Sequence, residues 1–225
     1  MREIVLDTET TGLNFKAGDR IIEVGCVELI NHVATNNTLQ FYCKVEKKIS
    51  PEAQRVSGIT NNFLSDKKTF EENHESFLNF IKDDTLIIHN ADFDIGFINH
   101  ELSLLGKGPI KNQVIDTVVL ARKTLNTRIA NLDYLCRRFN VDLSERKLHG
   151  ALLDSRLLAE VYLELKGGKQ FSMDLSLKSK ENLSKTENLK KKHETKKITP
   201  KPEDISSHKK MLKEIKNALW LKYDY

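Results

Sequence analysis

The sequence predicts an α/β domain followed by a flexible linker and a short helical tail. Three observations carry this. Apolar and β-branched runs joined by short connections occupy the first 45 residues, which argues for antiparallel pairing. Strand-like and helix-like segments then alternate, the pattern of parallel strands joined by crossovers. Near Gly167-Gly168 the composition shifts. From there to about Pro202 the chain is Lys, Ser, Glu, Asn and Thr with almost no large apolar residue, which is linker composition.

Each element has its own reason. Glu3-Ile4-Val5-Leu6 is led by β-branched residues and reads as a buried strand ending in the acidic turn Asp7-Thr8-Glu9-Thr10-Thr11-Gly12, where Gly12 lets the chain turn away. Residues 20–29 read as a second strand and 39–45 as a third. Ser50-Pro51-Glu52-Ala53 opens a helix, with Ser50 as cap and Pro51 at the first position. Ser76 to Lys82 is an amphipathic helix, and Thr85 to His89 a short strand running into Asn90-Ala91-Asp92-Phe93-Asp94. The next helix turns Phe97, Ile98, Leu102 and Leu105 inward. Val114-Ile115-Asp116 is the last strand, and Asn131 caps a helix carrying Leu132, Leu135 and Phe139. Ala151 to Leu165 is the most apolar helix. Met211, Leu212, Ile215, Leu219 and Trp220 close the chain as an amphipathic segment too short to fold alone.

The acids organise the chemistry. Asp7 and Glu9 stand at i and i+2, so on a strand they share a face. Two such carboxylates repel and raise each other's pKa unless a cation sits between them, and Mg²⁺ or Mn²⁺ takes oxygen ligands of this kind. Turn and cap duty is the competing reading. Asp94 lies where a strand gives way to a helix, and spacing alone barely separates it from Asp92. Asp116, at the end of another strand, reads as a turn or helix cap. Asp154 is flanked by Leu152, Leu153, Leu157 and Leu158, and an acid in that company is costly to bury without a partner. His149 precedes its helix, and reaching the same site requires it to lean over from the loop. Four carboxylates and one titratable base match two-metal phosphodiester hydrolysis, in which ions about 4 Å apart clamp the attacking and leaving oxygens. A histidine with an ordinary pKa takes the proton of the attacking water at neutral pH.

Bulk properties agree. The 225 residues allow one ordinary domain plus an appendage. A net charge of +4 permits a nucleic-acid partner. The three cysteines (Cys26, Cys43, Cys136) lack metal-type spacing and read as buried thiols of a cytosolic protein. No signal peptide, bilayer-spanning run, internal repeat or Gly-rich phosphate loop is expected.

The stretches D-T-E-T-T-G, H-N-A-D-F-D and H-G-A-L-L-D resemble the three motifs of the DEDDh exonuclease family, the histidine of H-x-x-x-x-D marking its subclass. The resemblance implies an RNase H-like fold, a mixed five-stranded sheet flanked by helices. It implies that Asp7, Glu9, Asp94 and Asp154 hold two Mg²⁺ or Mn²⁺ ions with His149 as general base, and it favours Asp94 over Asp92. Within the family the likeness is to proofreading subunits of bacterial replicative polymerases. That implies an exonuclease domain over 1–168 acting on the 3′ end of single-stranded DNA. A linker over 169–204 would carry a sliding-clamp-binding peptide at 170–175 (Gln170-Phe171-Ser172-Met173-Asp174-Leu175), and a tail over 205–225 would dock on the polymerase catalytic subunit as an amphipathic helix. A small accessory subunit is a further partner of that group, and the setting is the bacterial cytosol at the nucleoid. Glu52 matches a position that contacts the terminal nucleotide. Ser57 departs from the usual histidine beside the substrate, keeping a hydrogen bond without the charge. The rivals are an RNA-trimming exonuclease of the same family and a non-catalytic adaptor bridging clamp and polymerase.

Overall fold

The computed structural model describes residues 1–146, 148–167 and 200–215. The chain forms two units, Met1–Met173 and Asp174–Tyr225. In the first, five strands make one sheet in the order β3-β2-β1-β4-β5. β1 (Arg2–Thr10), β2 (Ile21–Ile30) and β3 (Val33–Tyr42) form an antiparallel meander. β4 (Thr85–Ile88) lies parallel to β1, and β5 (Val114–Asp116) parallel to β4. This is the mixed five-stranded sheet the sequence predicts.

β3 begins six residues before its expected start. Asn31 and His32 take φ of 52° and 69°, so a two-residue turn with both central residues left-handed joins β2 to β3 and matches the twist of the hairpin. The polar run Thr35-Asn36-Asn37-Thr38 hides the strand because β3 is a sheet edge with no buried residue and needs no apolar face there.

Among the described residues seven α-helices flank the sheet: α1 (Pro51–Ser57), α2 (Asn61–Leu64), α3 (Phe70–Ile81), α4 (Ala91–Leu104), α5 (Thr117–Leu125), α6 (Leu132–Phe139) and α7 (Ala151–Leu165). Ser50 and Asn131 cap α1 and α6 with their side chains as expected. α3 is a full turn and more longer than the Ser76–Lys82 expectation. Its start is fixed by a capping box, Thr69 bonding the Glu72 amide while the Glu72 carboxylate accepts from the Thr69 amide. α2 was not expected at all; it is one turn long, capped by Thr60.

Strand alternation divides the core. Ile4 and Leu6 pack with Phe77, Phe97, Ile98 and Leu102 on one side of β1. Val5 packs with Leu135, Leu158, Val161 and Tyr162 on the other. Asp7 and Glu9 continue the Val5 face, toward the layer that contains α7. Gly12 has no left-handed φ. The chain does bend at residues 11–13, and a Cβ at Gly12 would lie 2.4 Å from Asp19 Oδ2, so the glycine also makes room for that carboxylate.

In the second unit, α8 (Pro202–Glu214) starts three residues inside the expected linker, with Pro202 at its first turn. The peptide 170–175 and residues 216–225, including Leu219 and Trp220, lie outside the described residues. Among the described residues no helix is long and apolar enough to cross a membrane.

Candidate active site

β1 does not end before the acids. It runs on to Thr10, holding Asp7 opposite Gly25 and Glu9 opposite Glu23, with a register shift between Glu9 and Thr10. Gly25 is the hinge of the site. A Cβ there would stand 2.2 Å from backbone atoms of Ala151 and Leu152, so only glycine admits the first turn of α7 directly onto β2. Ser155 fastens that approach by donating to the Gly25 carbonyl at 3.0 Å. Asp154, in the same first turn, is thereby delivered beside Asp7.

Asp94 enters from the first turn of α4 and is only 2% exposed, accepting a 2.7 Å hydrogen bond from the Thr8 hydroxyl. Asp92, its rival by spacing, is exposed. Asp116 is a cap for two helices: it accepts from the Asn90 and Ala91 amides at the start of α4 and from the Val118 amide in α5. His149 sits on the loop before α7, its amide donating to the Val56 carbonyl of α1 at 3.0 Å. Its ring leans over the helix start, Nδ1 lying 3.2 Å from Asp154 Oδ2. Glu9, His149 and Asp154 each offer a ligand atom within 4.8 Å of the other two.

The electrostatics describe acids short of counter-charge. Burial, then the charges of Asp94, Glu9, Asp154 and Glu23, push the Asp7 carboxyl well above the usual range. Burial raises Glu9 to about 7, against the pull of His149. Burial likewise raises Asp94 to about 7 despite the Thr8 hydroxyl. Burial works to raise Asp154 too, but hydrogen bonds from Arg146 and His149 outweigh it and hold its carboxyl below the usual range. Bonding to Asp154 raises His149. Converging hard oxygen donors whose charges are mutually destabilised fit a divalent cation.

Two hollows flank the acids. One of about 450 Å³ is lined by Asp7, His89, Asp133, Arg146, His149 and Asp154. The other, of about 250 Å³, is lined by Glu9, Leu13, Glu52, Val56 and Phe93 among others. Leu13 stands 85% exposed at its rim.

With that geometry in view, the relatives are informative. The family described as Exonuclease matches residues 4–162. The DNA polymerase III subunit epsilon of Rickettsia felis is 47% identical over 222 residues, 96% of this chain and 97% of that protein. That of Escherichia coli K12 is 46% identical over 176 residues, 75% of this chain and 72% of the relative. The chain belongs to the exonuclease family, on its epsilon-subunit branch. Solved exonucleases share the fold at lower identity. The nuclease domain of 3′hExo, a DEDDh family member bound to rAMP, has a TM-score of 0.64 at 18% identity, covering 76% of this chain and 94% of its own. Exonuclease X in complex with 5′ overhanging duplex DNA has a TM-score of 0.58 at 22% identity, covering 72% and 90%.

The exonuclease domain also uses residues that pattern reading passes over. Thr8 stands between the two acids of the first motif and serves the third. Glu23, 1% exposed on β2, adds a fifth carboxylate opposite Glu9 and accepts from the Gln40 amide at 2.8 Å. Its signal was an acid between Ile22 and Val24 in a buried strand. Arg146 grips Asp154 and had no sequence signal beyond standing three residues before His149. Of the two substrate positions, Glu52 lines the smaller hollow. Ser57 is buried, its hydroxyl donating to the Ala53 carbonyl at 2.9 Å and accepting from the Ile59 amide at 3.2 Å.

Proposed function

We propose that this chain is the 3′→5′ proofreading exonuclease of a bacterial replicative DNA polymerase, removing nucleotides from single-stranded or frayed 3′ ends. The observation that carries this reading is the likeness to epsilon subunits along almost the whole chain, including the part beyond the sheet domain. Asp7, Glu9, Asp94 and Asp154 would hold two Mg²⁺ or Mn²⁺ ions. When bound, such ions supply an activated water and neutralise charge at the leaving 3′ oxygen.

The protein's own groups do the rest. His149 Nδ1 lies 3.2 Å from Asp154 Oδ2, and in the tautomer that donates across this gap Nε2 would accept the proton of the attacking water. Thr8 fixes the Asp94 carboxylate from below. Leu13, Val56 and Phe93 give the terminal base an apolar seat beside Glu9, with Glu52 at its edge for the sugar. A seat that takes an unstacked base selects mispaired ends, which cost least to fray. Ser57, its hydroxyl already engaged within α1, serves the substrate by holding the α1 terminus to which His149 is tied.

The polymerase catalytic subunit is the partner of the 205–225 tail and the sliding clamp that of 170–175, with a small accessory subunit as a third and the bacterial cytosol as the setting. Degradation of a mismatched primer, with and without EDTA, tests the activity. Release of nucleoside 5′-monophosphates from DNA in preference to a matched RNA oligonucleotide is expected. Faster trimming of the RNA would move the chain to the RNA-processing exonucleases, and no metal-dependent release at all would leave it an adaptor.

A further inference from the structure

Among the described residues, Arg146 is the one lysine or arginine paired with any of the four acids. Its Nε and Nη2 donate to Asp154 Oδ1 and Oδ2 at 2.6 and 2.7 Å, a two-pronged grip that engages both oxygens. Nη1 reaches Asp133 in the first turn of α6. The same Nη2 lies 3.0 Å from His149 Nδ1. The Arg146 side chain is 8% exposed and touches two of the three residues, His149 and Asp154, whose ligand atoms converge with that of Glu9.

This arrangement competes with the working one in two respects. A divalent ion drawing on Asp154 would meet a fixed positive charge on the same carboxylate. And His149 Nδ1 cannot at once accept from Nη2 and donate to Asp154 Oδ2, 3.2 Å away. Only the donating tautomer leaves Nε2 with a free lone pair.

We propose that Arg146 is a resident cation that holds Asp154 and His149 idle until an arriving divalent ion displaces it. Asp133, 45% exposed and already bonded to Nη1, keeps the displaced guanidinium at the edge of the larger hollow, which Arg146 also lines. Metal arrival then releases Nδ1 from Nη2; exchange with solvent moves the ring proton from Nε2 to Nδ1, which donates to Asp154 Oδ2 and leaves the Nε2 lone pair free. Arg146 thus acts as a positioning residue that couples metal loading to the orientation of the base. The proposal rests on the metal assignment made above.

The test is calorimetric titration of the full chain with Mn²⁺ alone. Arg146→Gln should bind Mn²⁺ tighter, on the order of tenfold, and melt lower than the wild type in EDTA, the gap closing as Mn²⁺ is added. Arg146→Lys, which keeps the charge without the fork, should fall between. Equal or weaker Mn²⁺ binding by a folded Arg146→Gln variant overturns the proposal and leaves Arg146 a structural bridge. A wild type that takes up no Mn²⁺ at millimolar levels removes the metal assignment itself, and the proposal with it. Should Arg146→Gln fail to fold, the arginine Nε–H resonances of the wild type decide. The Arg146 signal should move as Mg²⁺ saturates, and a signal that stays put while Mg²⁺ binds overturns the proposal.

Discussion

Thr8 shows how much of the site rests on single donors. Its hydroxyl donates to the buried Asp94 carboxylate from another element, beside the Thr8 backbone. Thr8→Val keeps the shape and removes the hydroxyl donor, leaving the buried carboxylate only the backbone bonds of Thr8 and Asp94, at a cost of about 1 kcal/mol. The expected result is a lower melting temperature in EDTA and several-fold weaker Mg²⁺ binding. A variant that matches the wild type in both would make the Thr8 bond incidental. His149→Ala should lower the hydrolysis rate by roughly 10²–10⁴ while shifting the Mg²⁺ titration far less, because it removes a proton acceptor and not an oxygen ligand. A metal curve displaced as strongly as the rate would instead make His149 a ligand. Asp7→Ala should abolish release of nucleoside monophosphates with the circular dichroism spectrum retained. At this scale the sequence was legible for the acids, since residue types carry their chemistry with them. It was silent on Arg146, which stands 8 residues from Asp154 and 13 from Asp133 in a loop whose path no local pattern records.

At the scale of elements, the contact between β2 and the start of α7 decides whether the acids share a site. Gly25→Ala would set a methyl group 2.2 Å from the backbone of α7, which cannot yield as a side-chain tip can. The helix must shift, costing about 1–3 kcal/mol in packing. Asp154 would move with it, and misplacement of this kind costs on the order of 10² in rate. Melting curves and exonuclease assays on the same preparation would show both losses; a stable variant with full activity would mean that α7 has slack the structure does not show. Element types were readable where periodicity or caps were strong, as with α1, α6 and α7. The start of β3 was not, because an exposed edge strand carries no apolar face to alternate. The first half of α3 was missed for a different reason: its capping box lies in a run of acids that masks the apolar stripe begun by Phe70.

For the whole molecule, the acidic site is a burden on folding that pH exposes. Glu9 and Asp94 bind protons up to about 7 in the folded chain, against 4.5 and 3.8 in the absence of the fold. Across that window the folded state holds more protons than the unfolded state, so stability falls as pH rises toward about 7. His149, raised by Asp154, acts in the same direction, its contribution being lost as pH climbs through its folded value. Asp154 has the opposite sign, but its depressed carboxyl matters only below the usual carboxylate range. In EDTA the melting temperature should therefore be higher at about pH 5.5 than at about pH 7.5, and saturating Mg²⁺ should flatten the slope by supplying the missing charge. A melting temperature that rises between those two values in EDTA would contradict the electrostatic picture of the site.

The sequence by itself determined the mixed sheet, the parallel-and-antiparallel division of its strands and the candidate acids and histidine of the proposed chemistry, because hydrophobic period and side-chain type are local properties. The tertiary structure alone decided which glycine lets a helix touch the sheet, which hydroxyl supports Asp94, and which cation stands against Asp154. Those are matters of distance between segments as much as 130 residues apart in the Ser155–Gly25 pairing, and no local pattern records them.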